Sequence, residues 1–397
     1  MHKYKPHVFL VFAMALLLFV PGDTYCLDAG HLTTYMMQGW SASYKTGFVF
    51  RGLCGTLLTL LQKPITPGLI MTLNIIIMLL YLALVYIYSL IFLKKDDRTE
   101  SLLLLVFMLV QAPVLQRWLT SAVIGRLDTL LVLLFLSVLA LFKVKNEYFR
   151  YITASLLSIL AMLCHEGFAI LFVPVIFGAM LLTDKNFRRP LCLYLIPCVA
   201  ACVLITAFGR ADVPMHEFSA MLAENHVNNP GYEVVDSDIT MVYYMDVADK
   251  IRMTLDYYGL EVYVKIFLTA VILSPTIYML LCYWLGLIRR SRGRLRVILV
   301  LLLLFSISPL FALLLGIDTF RWIGWALFNN LAALAFVYIT DTASREVILE
   351  TTRKRKYTLF LAIMVALLFG TFTVFLTYDI IEKNMKDIMN FIFDLLY

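Results

Sequence analysis

Apolar residues in this chain run in long unbroken stretches, punctuated alternately by clusters of Lys and Arg and by mixed loops rich in aromatic and ionisable residues. The stretches are Val8–Val20, Gly68–Leu93, Leu102–Leu115, a segment opening at Gly125 and closing at Phe142, and Ile152–Met162. Phe168–Leu182, Leu191–Phe208, Val262–Leu287, Val297–Leu315, Ile323–Ile339 and Tyr357–Leu376 follow. A hydrocarbon core of about 30 Å asks for roughly 20 residues of helix, so the pattern predicts about eleven transmembrane helices in an all-α polytopic membrane protein. Short alternating segments, the mark of a β-barrel, are absent from the sequence, and helices satisfy their own backbone in lipid.

The basic clusters fix the expected orientation. Lys94-Lys95, Lys143 and Lys145, Arg188-Arg189, the run from Arg289 to Arg296, and Arg353 to Lys356 all fall between stretches at alternate ends. The positive-inside rule puts them in the cytoplasm, which gives an N-in, C-out chain. These segments hold most of the 33 Lys and Arg and fewer than a third of the 27 Asp and Glu, so the net charge of +6 is a topology signal and calls for no nucleic acid. With 62% hydrophobic and 15% charged residues, a soluble domain is excluded. The chain reads as one integral-membrane domain, 1–397. It has a first outer loop over about 21–67 carrying interfacial helices, a large outer loop over about 209–260, and an amphipathic C-terminal segment over about 379–397. Localisation follows: a multi-pass protein of the cell membrane. Pro174, Pro197, Pro275 and Pro309 stand inside apolar stretches, where proline kinks or breaks a helix. Of seven cysteines, most are in apolar runs as small buried side chains, and Cys26 and Cys54 share the first outer loop and are the two that could pair.

The candidate chemistry is gathered on the outer side. His165-Glu166 interrupts two apolar arms at an outer turn, and an ionisable pair at such a place is functional by default, the alternative being a hydrogen-bonded turn that steadies a helical hairpin. Asp28 and His31 follow the first stretch, where Asp28 serves either as a reacting carboxylate or as a helix cap. Arg51 stands among apolar and Gly residues and needs an anion; Arg126 and Asp128 open a span, as a substrate contact or as an ion pair pinning the helix start. Asp318 and Arg321 are one helical turn apart, which allows an intrahelical pair beside Trp322 or a phosphate ligand in Arg321. His216 and His226 are too far apart for a zinc motif. Carboxylates act as general bases or bind a divalent cation, and guanidiniums clamp phosphate, so the mixture suits a polyprenyl-phosphate-linked sugar whose lipid lies between helices.

The order of parts resembles that of multi-span glycosyltransferases of the GT-C class, which carry an essential acidic residue in the first outer loop, followed by interfacial helices. Asp28-Ala-Gly-His31 stands at the corresponding place. Gly125-Arg126-Leu-Asp128 and Leu-Cys-His165-Glu166-Gly also resemble span-opening segments of such enzymes and of Wzy-type polysaccharide polymerases. The likeness covers the first half of the chain; Ala29 stands where the GT-C pattern has a second acid.

The resemblance implies a glycosyltransferase or polysaccharide polymerase with Asp28 as catalytic base or metal-binding carboxylate; the clustering on the outer side adds His165 and Glu166 as catalytic residues and His31, Arg51, Arg126, Asp128, Asp318 and Arg321 as substrate-binding ones. Its partners would be membrane lipid, a polyprenyl-phosphate-linked sugar and a glycan or lipid acceptor; metal use is left open, with a divalent cation the option. A transporter or flippase of a lipid-linked or anionic substrate is the alternative, and a scaffold of an envelope complex is a third.

Overall fold

The computed structural model describes residues 32, 39–61, 65–111, 126–225, 238–316 and 319–368. The expected first span over Val8–Val20, the C-terminal amphipathic segment over 379–397, and Asp28, His31 and Asp318 lie outside these residues. All regular structure described is helical: α1 (Gly52–Leu60), α2 (Pro67–Lys95), α3 (Thr99–Gln111), α4 (Asp128–Ala140), α5 (Glu147–Cys164), α6 (Phe168–Leu171), α7 (Val173–Thr183) and α8 (Ile196–Phe208). In the large outer loop are α9 (Met215–Asn225), a single turn at Asp238–Met241, and α10 (Val247–Tyr257). Then come α11 (Leu260–Ile272), α12 (Ser274–Arg290), α13 (Gly293–Ser306), α14 (Thr319–Thr340), α15 (Thr342–Lys354) and α16 (Lys356–Leu368).

Local chemistry explains the helix starts. The Thr66 hydroxyl accepts from the Leu69 N–H at 3.1 Å, with Pro67 preset at the first helical position of α2. Asn146 caps α5 through the Phe149 N–H at 3.1 Å, and Asp341 caps α15 through the Ser344 N–H at 2.8 Å. Lys94 and Lys95 close α2, and Arg289 and Arg290 close α12, where cations complement the helix dipole.

The expectation of about eleven spans is corrected. Among the described residues five helices are long and apolar enough to cross a membrane: Pro67–Lys95, Glu147–Cys164, Arg188–Phe208, Gly293–Leu314 and Arg321–Thr340. Val262–Ile272 and Ser274–Arg290, bent by 63° at Leu273, make a sixth if they are one span. With the count of eleven goes the parity that placed the N-terminus inside and the C-terminus outside. The prolines supply much of the reason. Pro174 starts α7 after a break at Phe172, Pro275 follows the bend at Leu273, Pro197 follows a π-helical turn at Leu191–Leu195, and Pro309 opens a 3-10 segment, Ser308–Leu314. Apolar runs that are continuous in sequence are therefore divided at Phe172 and at Leu273, whereas Arg188–Phe208 and Gly293–Leu314 carry their proline turns within single spans. Phe168–Thr183, at 16 residues, would extend about 24 Å even if straight, short of a bilayer of about 30 Å.

The core forms around α7, which packs on α13 and buries nearly every residue from Val173 to Leu181. Gly178 admits Leu302 and Phe305 of α13 so closely that a Cβ would come within 2.6 Å of a Leu302 methyl. Elsewhere α2 packs on α4, and α12 on α15 and α16. Apolar rows are left on the outside, such as Val199, Val203, Leu204 and Phe208 of α8, as a lipid-facing surface requires.

The basic end of the bundle is laced by ion pairs and hydrogen bonds. Arg98 bridges Asp96 and Glu346 at 2.5 and 2.6 Å, Arg290 pairs with Glu350, and Arg189 with Glu147. Arg294 donates to the Leu181 carbonyl at 3.0 Å, and Tyr151 donates to Asp184 at 2.9 Å. The basic loops recognised in the sequence thus meet one another at one end. The residues singled out for chemistry meet at the other.

Candidate functional site

The turn between α5 and α6 is built by its own backbone. The His165 N–H closes α5 on the Ala161 carbonyl at 2.9 Å, and the Phe168 N–H returns to the His165 carbonyl at 3.0 Å. His165 Nδ1 accepts from the Gly167 N–H at 3.0 Å, and a Cβ at position 167 would stand 3.0 Å from that nitrogen. With Nδ1 an acceptor, the neutral imidazole carries its proton on Nε2 and is a donor there. The ring is buried, at 8% exposure. Burial pushes its pKa down to about 3, and Arg51 and Arg321 press in the same direction against Glu166 and Asp128.

Glu166, next in the turn, takes both ends of the Arg51 guanidinium: Nε donates to Oε2 at 2.9 Å and Nη2 to Oε1 at 2.7 Å. Burial alone would raise its pKa, but the Arg51 and His165 fields and the hydrogen bonds from Arg51 outweigh it, leaving the carboxyl well below its usual range. This bidentate geometry is the strong form of the pair. Arg51 is also the one non-glycine residue with positive φ among the described residues, at φ 61. Such strain costs about 1 kcal/mol or more and accumulates at functional sites. The neighbouring Phe50 is fixed by its N–H donating to the Gly209 carbonyl at 2.9 Å and by stacking on Tyr243 with ring centroids 4.9 Å apart.

Across the site, Asp128 at the start of α4 receives Arg321 of α14: Nε and Nη2 both donate to Oδ1, at 2.9 and 2.5 Å. Both side chains are deeply placed, at 12% and 3% exposure. This ion pair joins the start of α4 to α14, with Arg321 as a hydrogen-bonded partner of Asp128. Arg126 adds to the field on Asp128.

A cavity of about 520 Å³ opens between these elements. Arg51, Arg126, His165, Glu166 and Arg321 all line it, and Asp128 is held behind Arg321. Five of the nine residues singled out from sequence are thus brought to one wall system, and a sixth supports it. Arg210, Asp246 and Lys250 of the large outer loop complete the charged part. Most of the rest of the lining is apolar, with Ile170 of α6, Ile205 of α8, Met253 of α10, Leu315 and Trp322 among it. Lys250 was not singled out from the sequence. It is carried by α10, whose start is a capping box: Asp246 accepts from the Asp249 N–H at 2.8 Å, and Asp249 from the Asp246 N–H at 3.3 Å. That Asp-x-x-Asp-Lys signature, opening an amphipathic segment in the longest outer loop, was the available signal.

Cys54 of α1, expected as the possible partner of Cys26, shares a small core cluster with Cys164, while Cys26 lies outside the described residues. Among the described residues no group of three or more His, Cys, Asp or Glu is placed to hold a metal ion. Glu166 and Asp128 are both engaged by guanidiniums.

Helices long and apolar enough to span, lipid-facing apolar rows and a basic end define a multi-pass integral membrane protein of the cell membrane, with a cationic cavity at the end opposite its basic loops. Residues 7–264 match the family described as Uncharacterised membrane protein Rv1490, and the chain belongs to that family. The match takes in Arg51, Arg126, His165, Glu166, Arg210 and Lys250, and ends before Arg321. No curated protein and no solved structure matches the chain.

Proposed function

We propose that the protein is a membrane glycosyltransferase or polysaccharide polymerase that takes a sugar from a polyprenyl-phosphate-linked donor at the extracytoplasmic face. The observation that carries this reading is that one cavity is lined by several cationic side chains together with many apolar ones. A phosphate bound to a prenyl chain needs both, and the positive-inside rule places the opposite, basic end in the cytoplasm.

In the proposed reaction an acceptor hydroxyl attacks the anomeric carbon. The carbon–oxygen bond to phosphate breaks, the bonding pair leaves with the polyprenyl phosphate, and the hydroxyl proton passes to a carboxylate base. Glu166, held ionised and bidentate on Arg51, is a weak base, so its part is to orient Arg51. Asp28 is the proposed base, with His31 beside it in sequence. His165, as an Nε2–H donor, stabilises charge on the leaving oxygen or the sugar without taking a proton itself. Arg126 and Arg321 add positive potential to the same cavity.

The test is transfer of a radiolabelled sugar from a short-chain polyprenyl-phosphate donor by the full chain in nanodiscs. The reading predicts release of polyprenyl phosphate and its loss, by at least a hundredfold, in Asp28→Asn. Full transfer by that variant would remove Asp28 as the base.

A second reading, a transporter or flippase of the same lipid-linked anion, is favoured by one observation. The cavity walls include helix breaks, at His165–Gly167 and along the 3-10 segment Ser308–Leu314, as substrate sites of transporters do. Movement of labelled lipid across proteoliposomes, with no sugar released, would select it.

A further inference from the structure

The cations of the cavity are not equivalent. Arg51 is engaged bidentately by Glu166, and Arg321 by Asp128, each pair joining two separate parts of the chain. A guanidinium already neutralised by a bonded carboxylate gives an incoming anion less than a free one does, and its removal leaves a partly buried carboxylate stranded. Arg210 and Lys250 are placed differently. Among the described residues no carboxylate comes within ion-pair distance of either, although both line the cavity. Asp246 is the carboxylate whose pKa registers the Arg210 field.

Lys250 is held by something other than charge. Its Nζ lies 4.3 Å from the centroid of the Phe50 ring, over the face of a residue itself stacked on Tyr243. A cation–π contact of this kind orients an ammonium while leaving its three N–H donors to other acceptors. The backbone that carries Phe50 is tied to Gly209, the residue before Arg210, by the Phe50 N–H bond. Phe50, Arg210 and Lys250 are therefore one assembly, drawn from the first outer loop, the end of α8 and α10.

Burial lowers the pKa of Lys250, with Arg51 and Arg210 adding to the shift and Glu166 opposing it. An ammonium so placed is under-compensated, and an anion entering the cavity would relieve it. The apolar lining next to it is the natural neighbour of a lipid chain attached to that anion.

We propose that Lys250 and Arg210 form the subsite that binds the phosphoryl group of the cavity's ligand, while Arg51 and Arg321 act as positioning residues that fix the walls. This rests on the anion-binding part of the functional reading and adds the residues that make the contact. The ligand chemistry is a phosphate ester or free phosphate, and the two sources are separated by the test.

The experiment is binding, not turnover, so it stands whether or not sugar transfer is found. The full chain in nanodiscs is titrated calorimetrically with inorganic phosphate and, in a second arm, with a short-chain prenyl phosphate. Lys250→Met and Arg210→Met should each weaken binding about tenfold or more, with the melting temperature unchanged within a few degrees, and Lys250→Arg should keep most of the affinity. Arg51→Met and Arg321→Met should instead lower the melting temperature. Prenyl phosphate binding much tighter than inorganic phosphate identifies a lipid source, and equal affinities a soluble one. Unchanged affinity in folded Lys250→Met and Arg210→Met, or binding of neither probe to the wild type at millimolar concentration, would overturn the proposal.

Discussion

At the residue scale the site turns on two unusual states, a strained arginine and a neutral buried histidine. Arg51 holds φ 61, a conformation that glycine adopts freely and other L-residues do not. Replacing it separates its two roles. Arg51→Gly loses the ion pair but relieves the backbone, whereas Arg51→Ala loses the pair and keeps the strain. The Gly variant should be the more stable of the two by about 1 kcal/mol, read as a higher melting temperature in detergent. Equal stabilities would mean that the backbone carries no strain at this position.

His165 gives a signed pH dependence. Its pKa of about 3 in the fold is below the 6.5 of a free histidine, so between those values the unfolded chain binds a proton that the native one does not. Stability from this group is complete above about pH 6.5 and falls as the pH drops toward 3. The charged groups that act on it are Arg51, Glu166, Arg321 and Asp128. His165→Gln should flatten the melting-temperature profile across this window. A profile equally steep in the variant would assign the dependence to other groups.

At the scale of elements, the helix breaks make the cavity. The turn at His165–Gly167 and the 3-10 segment opened by Pro309 both contribute to its walls, and Gly209 ends α8 where the segment carrying Phe50 approaches. A Cβ at position 209 would fall 2.3 Å from the Ile205 carbonyl oxygen and 3.2 Å from the Phe50 nitrogen, both backbone atoms that cannot swing away. Gly209→Ala should therefore cost about 1 to 3 kcal/mol and loosen the segment leading to Arg51, measured as faster amide exchange at Phe50 and Arg51. No change in exchange would show that the Phe50–Gly209 contact does not hold that segment.

These elements also mark how far the sequence could be read. Helical class, membrane residence and the gathering of Arg51, Arg126, His165, Glu166 and Arg321 at one end were legible, because length, hydropathy and charge placement act locally along the chain. The span count was not: apolar runs look the same whether a proline merely tilts them or divides them, and the outcome depends on what packs beside the break. Pairing was not legible either. Arg321 donates to Asp128, nearly two hundred residues distant, a partner to which no local spacing points. Lys250 escaped notice because its value comes from Phe50 and Arg210, which only the tertiary fold brings to it.

The whole molecule has two unlike ends. One is a web of exposed and half-exposed ion pairs among basic loops, such as Arg98 with Glu346, which are worth little individually. The other sinks its charges into a cavity, where the few groups present are buried, paired or poised. The central claim is that this cavity receives the phosphate of a lipid-linked substrate. The most direct measurement is an experimental structure of the full chain in nanodiscs with a short-chain prenyl phosphate bound. The account predicts phosphorus density within hydrogen-bonding reach of Lys250 and Arg210, with the chain running along Ile170, Ile205 and Leu315. Density for the ligand at another site, with the cavity side chains as they are here, would contradict it.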